Sequence, residues 1–350
     1  MTCLRHFSSH SVSRDAALRG FFQPMSPNMS TCGDIGLVLS GGGAKGAFQA
    51  GVWKAMCELG LAERVQAISG TSVGALNAAA FASVRDPGTI CRFWREHVEE
   101  VATPNLRHLT VDAIQDGIAN TLAGKAFPFH GLLDRSALER IVRSLLPADW
   151  PTDGPQVIAS SLECRGGLFE EFRSQAYRLR RFRIDEEPDL DRRIAMLLAS
   201  AAIPWGFDPV EIDGRRFVDG GWDDNGGENV PIRPLRWNHP DIETIIVVRC
   251  NSAEVEPDPT RVRIPRGVGL VEIRPSSPLT GIFGELPDII PAASSIGGIP
   301  VIGPIVEQMK ALSRQIMAWS GTLAFDRSCA QRYIKQGYAD ALSILKTIHL

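Results

Sequence analysis

The chain has 350 residues, a length that suits one large α/β domain or two domains of about 150 residues each. Hydrophobic residues make up 44% and charged residues 22%, which excludes fibrous, repetitive and fully disordered proteins. The 37 Lys and Arg residues are balanced by 40 Asp and Glu residues, giving a formal net charge of −3. The chain therefore lacks the basic excess with which nucleic-acid-binding proteins neutralise phosphates, and we expect no nucleic-acid partner.

The beginning of the chain differs in composition from the rest. Residues 1–33 are rich in Ser, Arg and His and have little apolar periodicity, so we expect a flexible N-terminal leader without a secretory signal. The uncharged run 289–306 contains three Pro and three Gly residues, which would break a membrane-spanning helix. The seven cysteines never form a CxxC pair and are typical of a reducing compartment. We expect a cytoplasmic protein that can associate peripherally with membranes.

From residue 34 onward, short apolar runs alternate with longer segments of helical periodicity, which indicates an α/β fold with a sheet covered by helices. Strands are predicted at 36–40, 65–68, 156–159 and 244–248. Helices are predicted at 47–59, 75–83, 135–146 and 326–345.

A GxSxG motif, Gly70-Thr-Ser-Val-Gly74, lies between a predicted strand and a predicted helix. A sharp turn there lifts the Ser72 hydroxyl clear of the sheet, and Gly70 and Gly74 permit the close backbone approach that such a turn requires. The first amides of the following helix point to the same place, where they stabilise a developing oxyanion. Ser72 is therefore a candidate nucleophile.

A glycine-rich loop, GGGAKG at 41–46, also follows a strand and precedes a helix. A Walker A loop is excluded, because Gly46 is followed by Ala47 and not by Lys. The loop does fit a dinucleotide-binding GxGxxG motif, with Glu58 or Glu63 as the acid that binds the ribose.

The same loop also fits an oxyanion hole, because the amides of Gly41, Gly42 and Gly43 can turn towards one point. A tight turn without a ligand is the remaining interpretation. Only 29 residues separate Gly43 from Ser72, so one crossover connects the two loops and brings both to the carboxyl edge of adjacent parallel strands. Acyl transfer requires this convergence and dinucleotide binding does not.

A serine nucleophile needs a base, and none of the seven histidines lies in an obvious catalytic sequence. Asp219 followed by His239 keeps the Ser, Asp, His order of α/β-hydrolases. The alternative base is Asp219 itself, which ends a short apolar run and precedes Gly220 and Gly221. An Asp-Gly-Gly sequence is also typical of a simple turn.

Taken together, these motifs resemble those of the patatin-like phospholipases. That family has GGGx[KR]G after a strand, GxSxG one crossover later and a distant DG[GA], which this chain matches at 41–46, 70–74 and 219–221. The stretch SAAIP at 200–204 is similar to the SAAxP segment of the family. The predicted last helix, with Gly337-Tyr338, is similar to the C-terminal helix of the family.

The resemblance implies a three-layer α/β fold with a mostly parallel central sheet flanked by helices. It implies that Ser72 and Asp219 form a Ser-Asp dyad, that Gly41, Gly42 and Gly43 provide the oxyanion hole, and that no metal or cofactor is needed. The supporting motif residues would be Lys45, Gly46, Gly70, Gly74, Gly220 and Gly221.

The activity implied is that of a serine lipid acyl hydrolase of the phospholipase A or lysophospholipase type. Its substrates would be phospholipids, lysophospholipids or related acyl lipids at a membrane or micelle surface. A nucleotide-binding or regulatory protein that uses GxGxxG, and a family fold without activity, are the alternatives.

The resemblance also implies a single catalytic domain over 34–350. Its core motifs would lie at 36–235 and its C-terminal helix at 326–345. The segment 257–309 has no counterpart in the family pattern, and its apolar Gly- and Pro-rich part predicts either a lid or insertion or a buried connection inside the fold. An acidic insertion at 222–228 separates the DGG motif from the Asn-x-Pro that the family places close behind it.

Four arginines lie in the segment YRLRRFR (177–183), spaced as on the outer face of a strand. We expect a solvated face on which these arginines pair with the acids at 185–187. Contact with phosphate or anionic lipid is the alternative, because the guanidinium group suits phosphate.

Overall fold

The structure is a computed structural model, and it describes residues 34–102, 133–165, 177–204, 206–222, 226–238, 241–253, 267–280, 322 and 324–348. The strands in these ranges are β1 (Asp34–Leu39), β2 (Val65–Thr71), β3 (Gln156–Cys164), β4 (Tyr177–Arg183), β5 (Val210–Ile212), β6 (Arg215–Asp219), β7 (Ile242–Val248) and β8 (Gly269–Ile273). The helices in these ranges are α1 (Gly46–Glu58), α2 (Val73–Ser83), α3 (Pro87–His97), α4 (Arg135–Leu145), α5 (Leu190–Ser200), α6 (Arg233–Asn238) and α7 (Arg327–Leu345).

All eight strands belong to one sheet, with the order β5-β6-β3-β2-β1-β7-β8 and with β4 also paired to β3. The pairs β1-β2, β2-β3, β1-β7 and β7-β8 are parallel, and the pairs β3-β4, β3-β6 and β5-β6 are antiparallel. The predicted α/β fold with a mostly parallel sheet flanked by helices is confirmed.

Both faces of the sheet are covered by apolar side chains. Side chains of a strand alternate between faces, and along β1 Leu37 and Leu39 pack in a large cluster that includes residues of α1 and α2. Val38 points to the other face, where it packs with Leu235 of α6 and with residues of β7. Strands that are buried on both faces read as continuous apolar runs, which is why β1 and β7 were predictable from sequence.

The predicted strand at 156–159 is too short, since β3 continues to Cys164. Its second half is polar in sequence but buried, and two of its polar side chains, Ser161 and Glu163, are hydrogen-bonded. The Ser161 hydroxyl lies 2.8 Å from the carbonyl oxygen of Val218 and 3.1 Å from that of Ala199, and it donates its one hydrogen to this pair of acceptors. Glu163 accepts from Arg180. An apolar run therefore marks only the first half of this strand.

Helix α7 is the predicted C-terminal helix, and it packs closely on α1. A Cβ atom added to Gly337 would lie 2.1 Å from the carbonyl oxygen of Phe48, and one added to Gly51 would lie 2.1 Å from that of Ile334. The two backbones therefore touch at these glycines. Since α1 begins directly after the glycine-rich loop, this contact fixes the helix on which the loop is mounted.

Parts of the predicted domain organisation lie outside the described residues. These are the leader at 1–33 and most of the lid or insertion at 257–309, which stay predictions. Within the latter, residues 269–273 form β8, which pairs in parallel with β7, so this part belongs to the sheet and not to a lid. Among the helices in the described ranges, none has the length and apolar character that a membrane span requires.

We predict that Gly337→Ala destabilises the protein, because the added methyl group would overlap the backbone of α1. Overpacking of this kind typically lowers the free energy of unfolding by about 1–3 kcal/mol, which urea denaturation can measure. Gly88→Ala is the matched control, since the nearest atom to its added Cβ is 3.5 Å away. Equal stability of the two variants would contradict the close contact.

Candidate active site

Ser72 lies in the sharp turn that joins β2 to α2. Its φ of 57° and ψ of −130° fall in a region that residues other than glycine rarely adopt. Such strain costs on the order of 1–3 kcal/mol and is common at functional sites. A Cβ atom on Gly70 would lie 2.3 Å from the carbonyl carbon of Gly74, so the turn is as tight as the GxSxG motif predicts.

Asp219 is the last residue of β6. The register of β3 places it next to the turn at Ser72, which we call the nucleophile turn after its predicted role. Ser160 of β3 pairs with Thr71, and the next residue, Ser161, pairs with Asp219. One carboxylate oxygen of Asp219 accepts a hydrogen bond of 2.7 Å from the amide of Gly221. In the Asp-Gly-Gly sequence, Asp219 therefore ends a strand at the site, and the two glycines form the turn that follows it.

The last residue of α5 and the segment that follows it bind both of these residues. The Ser200 hydroxyl accepts a 3.0 Å hydrogen bond from the amide of Ser72 and donates one of 2.6 Å to the carbonyl oxygen of Ser160. The amide of Asp219 donates to the carbonyl oxygen of Ala202 at 2.9 Å. The SAAIP stretch thus contacts the nucleophile turn and the acid together.

The glycine-rich loop reaches the same place. Gly43 has a φ of +55°, and a Cβ atom there would lie 2.3 Å from the carbonyl oxygen of Thr322. A Cβ atom on Gly41 would lie 3.3 Å from the Cβ of Ser72. Lys45 is buried behind the loop, and its ammonium group donates to the side-chain oxygen of Asn251 at 2.8 Å.

Residues 228–231, which we call the crossing segment, run across the carboxyl ends of three strands. The carbonyl oxygen of Asn229 accepts from the amide of Gly41 at 3.1 Å, beyond the end of β1. The carbonyl oxygen of Glu228 accepts from the Thr71 hydroxyl at 2.7 Å, at the end of β2, and its amide donates to Gly220, next to the end of β6. The crossing segment therefore ties the loop, the nucleophile turn and the acid to one another.

The acidic insertion predicted at 222–228 ends in this crossing segment. Its residues 223–225 lie outside the described ranges, whereas the Glu228 carboxylate accepts from Arg181 of β4 at 2.7 Å. Glu228 is thus neutralised by an arginine and held away from the cavity. Its backbone, not its charge, contributes to the site.

Two further arginines of β4, Arg180 and Arg183, are also paired with acids. Arg183 binds Asp185 at 2.7 Å and Glu186 at 2.9 Å, as predicted. Arg180 instead binds Glu163 of the neighbouring strand at 2.5 Å, and this hydrogen bond holds the pKa of Glu163 below its usual range. The third predicted acid, Glu187, binds Arg192 and not an arginine of β4. A paired, solvated face describes β4 better than a phosphate site does.

Two cavities meet at Ser72. The first, which we call the polar cavity, has a volume of about 280 Å³ and is lined by Gly41, Gly42, Gly43, Ser72, Ile203, Pro204, Asp219, Gly221, Trp222, Asn229, Asn251 and Thr322. The second, the apolar cavity, has a volume of about 100 Å³, and most of its lining comes from α2, α3, α4 and α5, including Trp94, Leu138, Ile141 and Leu197. Gly43, Ser72 and Ile203 line both.

The structure thus brings six predicted site residues to the polar cavity: Gly41, Gly42, Gly43, Ser72, Asp219 and Gly221. The other predicted residues lie in the same loops and are not among the residues that line this cavity: Lys45, Gly46, Gly70, Gly74 and Gly220. His239, the alternative base, lies outside the described residues.

Sequence reasoning missed the polar side chains Asn229, Asn251 and Thr322. Asn251 follows β7 closely, and polar residues that follow parallel strands are a usable signal, since strand ends meet at one edge. Thr322 comes from a part of the chain with no pattern that points to the site.

The two acids that a dinucleotide site would use lie elsewhere. Glu58 ends α1, where it pairs with Lys54 and accepts from the Tyr338 hydroxyl at 2.5 Å. Glu63 lies before β2, at the amino end of that strand. A ribose-binding acid belongs at the carboxyl edge, so this arrangement disfavours dinucleotide binding.

The starts of α1 and α2 differ from those of four other helices. Helices α3, α4, α5 and α7 are each capped by an aspartate that accepts from a backbone amide of the first turn: Asp86, Asp134, Asp189 and Asp326. Helices α1 and α2, which begin at the cavity, have no such side-chain cap. Their dipoles favour negative charge at the cavity.

Comparison with known proteins gives a family match. A family model described as "Patatin-like phospholipase" matches residues 37–236, a range that includes Ser72 and Asp219. No curated protein is significantly similar to the chain.

Several solved structures are similar in fold. VipD from Legionella pneumophila is 14% identical, with 90% of this chain and 67% of VipD covered and a TM-score of 0.39. Human GIVD cytosolic phospholipase A2 is 12% identical, with 88% and 60% covered and a TM-score of 0.39. ExoU from the type III secretion system of Pseudomonas aeruginosa, in complex with SpcU, is 14% identical, with 86% and 53% covered and a TM-score of 0.34. At these TM-scores, the likenesses say nothing about the substrate of this chain.

We predict that Ser200→Ala destabilises the protein, because it removes a partner from two buried backbone groups, the amide of Ser72 and the carbonyl of Ser160. Loss of buried hydrogen bonds costs about 1–3 kcal/mol, which urea denaturation can measure. In the control Ser144→Ala, the lost hydroxyl donates only to a carbonyl one helical turn earlier. If Ser200→Ala is no less stable than this control, the bridging role of Ser200 is wrong.

Proposed function

The chain belongs to the patatin-like phospholipase family, and from this premise we propose that it is a serine lipid acyl hydrolase that acts through an acyl-enzyme on Ser72. Family membership supports a lipid hydrolase. The finer proposal is that it cleaves carboxylic ester bonds of phospholipids, lysophospholipids or related acyl lipids.

The observation that carries this proposal is that four features of the structure meet at Ser72. A strained serine, a strand-end carboxylate and a triple-glycine loop line the polar cavity, and an apolar cavity opens at the same serine. An acyl ester has matching parts, since its reactive carbonyl is polar and its acyl chain is apolar. A nucleotide needs a phosphate and a ribose site, and the positions of Glu58 and Glu63 do not favour one.

In the proposed acylation step, the Ser72 hydroxyl oxygen attacks the ester carbonyl carbon and the Asp219 carboxylate accepts the hydroxyl proton. The carbonyl oxygen becomes an oxyanion, which the amides of the glycine-rich loop stabilise. The bond to the alcohol oxygen then breaks, and the proton passes from Asp219 to the departing alcohol. The acyl group remains on Ser72 as an ester.

In the second step, water attacks the acyl carbon while Asp219 accepts one of its protons. The bond to Ser72 then breaks, the proton returns to the serine oxygen, and the fatty acid leaves. A serine hydroxyl is a weak nucleophile and a carboxylate a weak base. Much of the rate must therefore come from positioning and from oxyanion stabilisation, and removal of one oxyanion donor typically costs about 100- to 1000-fold in kcat.

Burial makes this chemistry effective. Ser72 is 4% exposed and Asp219 6% exposed, so charges that develop between them are poorly screened by water. The uncapped starts of α1 and α2 add a field that favours the oxyanion. The site would act at a membrane or micelle surface, where its lipid substrates are held.

Ser72→Ala should abolish labelling by a fluorophosphonate probe and hydrolysis of short-chain p-nitrophenyl esters. Asp219→Asn should lower kcat/KM by roughly 1000-fold or more, as removal of a catalytic partner does in other serine hydrolases. Asp213→Asn is the matched control, because Asp213 lies in the exposed turn between β5 and β6 and binds only outward to Arg192. Wild-type protein that neither labels nor hydrolyses, or a Ser72→Ala variant that does both, would refute the proposal.

The apolar cavity should hold the acyl chain. A side chain that fills this cavity should therefore shift the substrate preference towards esters with shorter acyl chains. We predict that Ile141→Trp lowers kcat/KM for a decanoyl ester by roughly 10-fold or more relative to a butyryl ester, because pocket contacts discriminate chain length by about 1–3 kcal/mol. Arg140→Trp adds the same ring on the exposed side of α4 and should leave that ratio unchanged. A ratio that is unchanged in Ile141→Trp would place the acyl chain elsewhere.

A further inference from the structure

We propose that the side chains of Gln49 and Asn77 are positioning residues of this reaction. Together, as the amide bridge, they fix the glycine-rich loop at a set distance from the helix that carries the nucleophile turn. The inference rests on the proposed function, since it assigns the bridge a role in the same site. Asn77 also lines the apolar cavity. The hydrogen bonds of both side chains lead to backbone carbonyls at the ends of the loop, so the positioning role is exerted through the loop backbone.

The amide bridge joins the two uncapped helices near their starts, from the fourth residue of α1 to the fifth residue of α2. Gln49 of α1 is 0% exposed and Asn77 of α2 is 3% exposed. The Asn77 side-chain amide donates to the carbonyl oxygen of Gly46 and to the side-chain oxygen of Gln49, both at 2.9 Å. Gln49 in turn donates to the carbonyl oxygen of Ser40 at 2.8 Å and to the sulfur of Cys250 at 3.3 Å.

These acceptors bracket the loop. Ser40 lies immediately before Gly41, and Gly46 is the last residue of the loop, so the bridge holds both ends. Ser40 is itself fixed, because its hydroxyl donates to the carbonyl oxygen of Gly41 and accepts from the amide of Cys250, both at 3.0 Å. Of the five loop residues between these points, Gly41, Gly42 and Gly43 are glycines and have little conformational preference of their own.

If the bridge served only to pack the two helices together, burying two amide side chains would cost free energy without need. Burying an amide side chain is unfavourable unless all of its polar atoms are paired, and two apolar residues could fill the same space. Here the two side-chain amides direct their N–H donors to four acceptors, two of which are the backbone carbonyls of Ser40 and Gly46 at the ends of the loop. Such a network specifies position, which an oxyanion site needs to within a few tenths of an ångström.

The bridge also extends to the wall of the apolar cavity. The indole N–H of Trp94 donates to the Asn77 side-chain oxygen at 3.0 Å, and the Trp94 ring lines that cavity. The same ring lies 2.8 Å from the position of a Cβ atom on Gly46. The wall that would contact the acyl chain and the loop that would hold the oxyanion are therefore connected through Asn77.

The test uses two variants of the full-length protein that keep side-chain size. Asn77→Asp replaces the amide donor by an oxygen and leaves the acceptor for Trp94 in place. Gln49→Met removes the amide and keeps a side chain of similar length. For a short-chain p-nitrophenyl ester, kcat should fall roughly 10- to 100-fold while KM changes less than about threefold, because transition-state donors and not substrate binding are displaced.

A second readout does not depend on activity. Hydrogen exchange of the peptide that covers residues 40–48, followed by mass spectrometry, should be faster in both variants, because the loop ends are released. Ser83→Ala is the matched control on α2: its hydroxyl donates to a carbonyl one turn earlier, and we expect no change in kcat or in exchange at 40–48.

The possible outcomes separate the two proposals. A lower melting temperature with wild-type kcat, in folded variants, would show a merely structural bridge and overturn the inference. Unchanged hydrogen exchange at 40–48 would overturn it as well. A wild-type protein without hydrolysis or fluorophosphonate labelling would refute the proposed function itself, and the exchange measurement would still decide whether the bridge fixes the loop.

Discussion

Strand β3 pairs along one edge with β4 and along the other edge with two strands in succession, β2 and then β6. Because β2 is parallel to β3 and β6 is antiparallel to it, the two strands run towards each other and end at adjacent positions, opposite Ser160 and Ser161. Ser72 leaves the end of β2, and Asp219 is the end of β6. Backbone pairing alone thus brings together two residues that are 147 positions apart in the chain.

The rest of the site depends on how closely other backbone segments approach this junction. The crossing segment bonds to residues at the ends of three strands, and the SAAIP stretch bonds to the nucleophile turn and to the acid. At Gly43 and Gly74, the carbonyl oxygens of Thr322 and Leu39 lie so close to the glycine backbone that a side chain would collide with them. The glycine-rich loop is then located by α7 from one side and by the amide bridge from the other, so that a loop without intrinsic rigidity is held by its surroundings.

The sequence identifies local features better than distant ones. Gly41 to Gly46 and Ser72 were predictable as a pair, because a single crossover connects them and its handedness is fixed. Asp219 could be named only as one option, since nothing local shows that β6 ends against β2. The polar half of β3 could not be predicted from an apolar pattern, because the hydrogen-bond partners of Ser161 and Glu163 come from other segments of the chain. Asn229 and Thr322 reach the cavity through tertiary contacts that no spacing rule describes.

A crystal structure of the protein after reaction with a long-chain alkyl fluorophosphonate tests the central claim most directly. The account predicts phosphorus bonded to the Ser72 hydroxyl oxygen, the phosphoryl oxygen within hydrogen-bonding distance of the Gly42 and Gly43 amides, and the alkyl chain in the apolar cavity between α3, α4 and α5. An adduct on another residue, or a phosphoryl oxygen directed away from the glycine-rich loop, would contradict it.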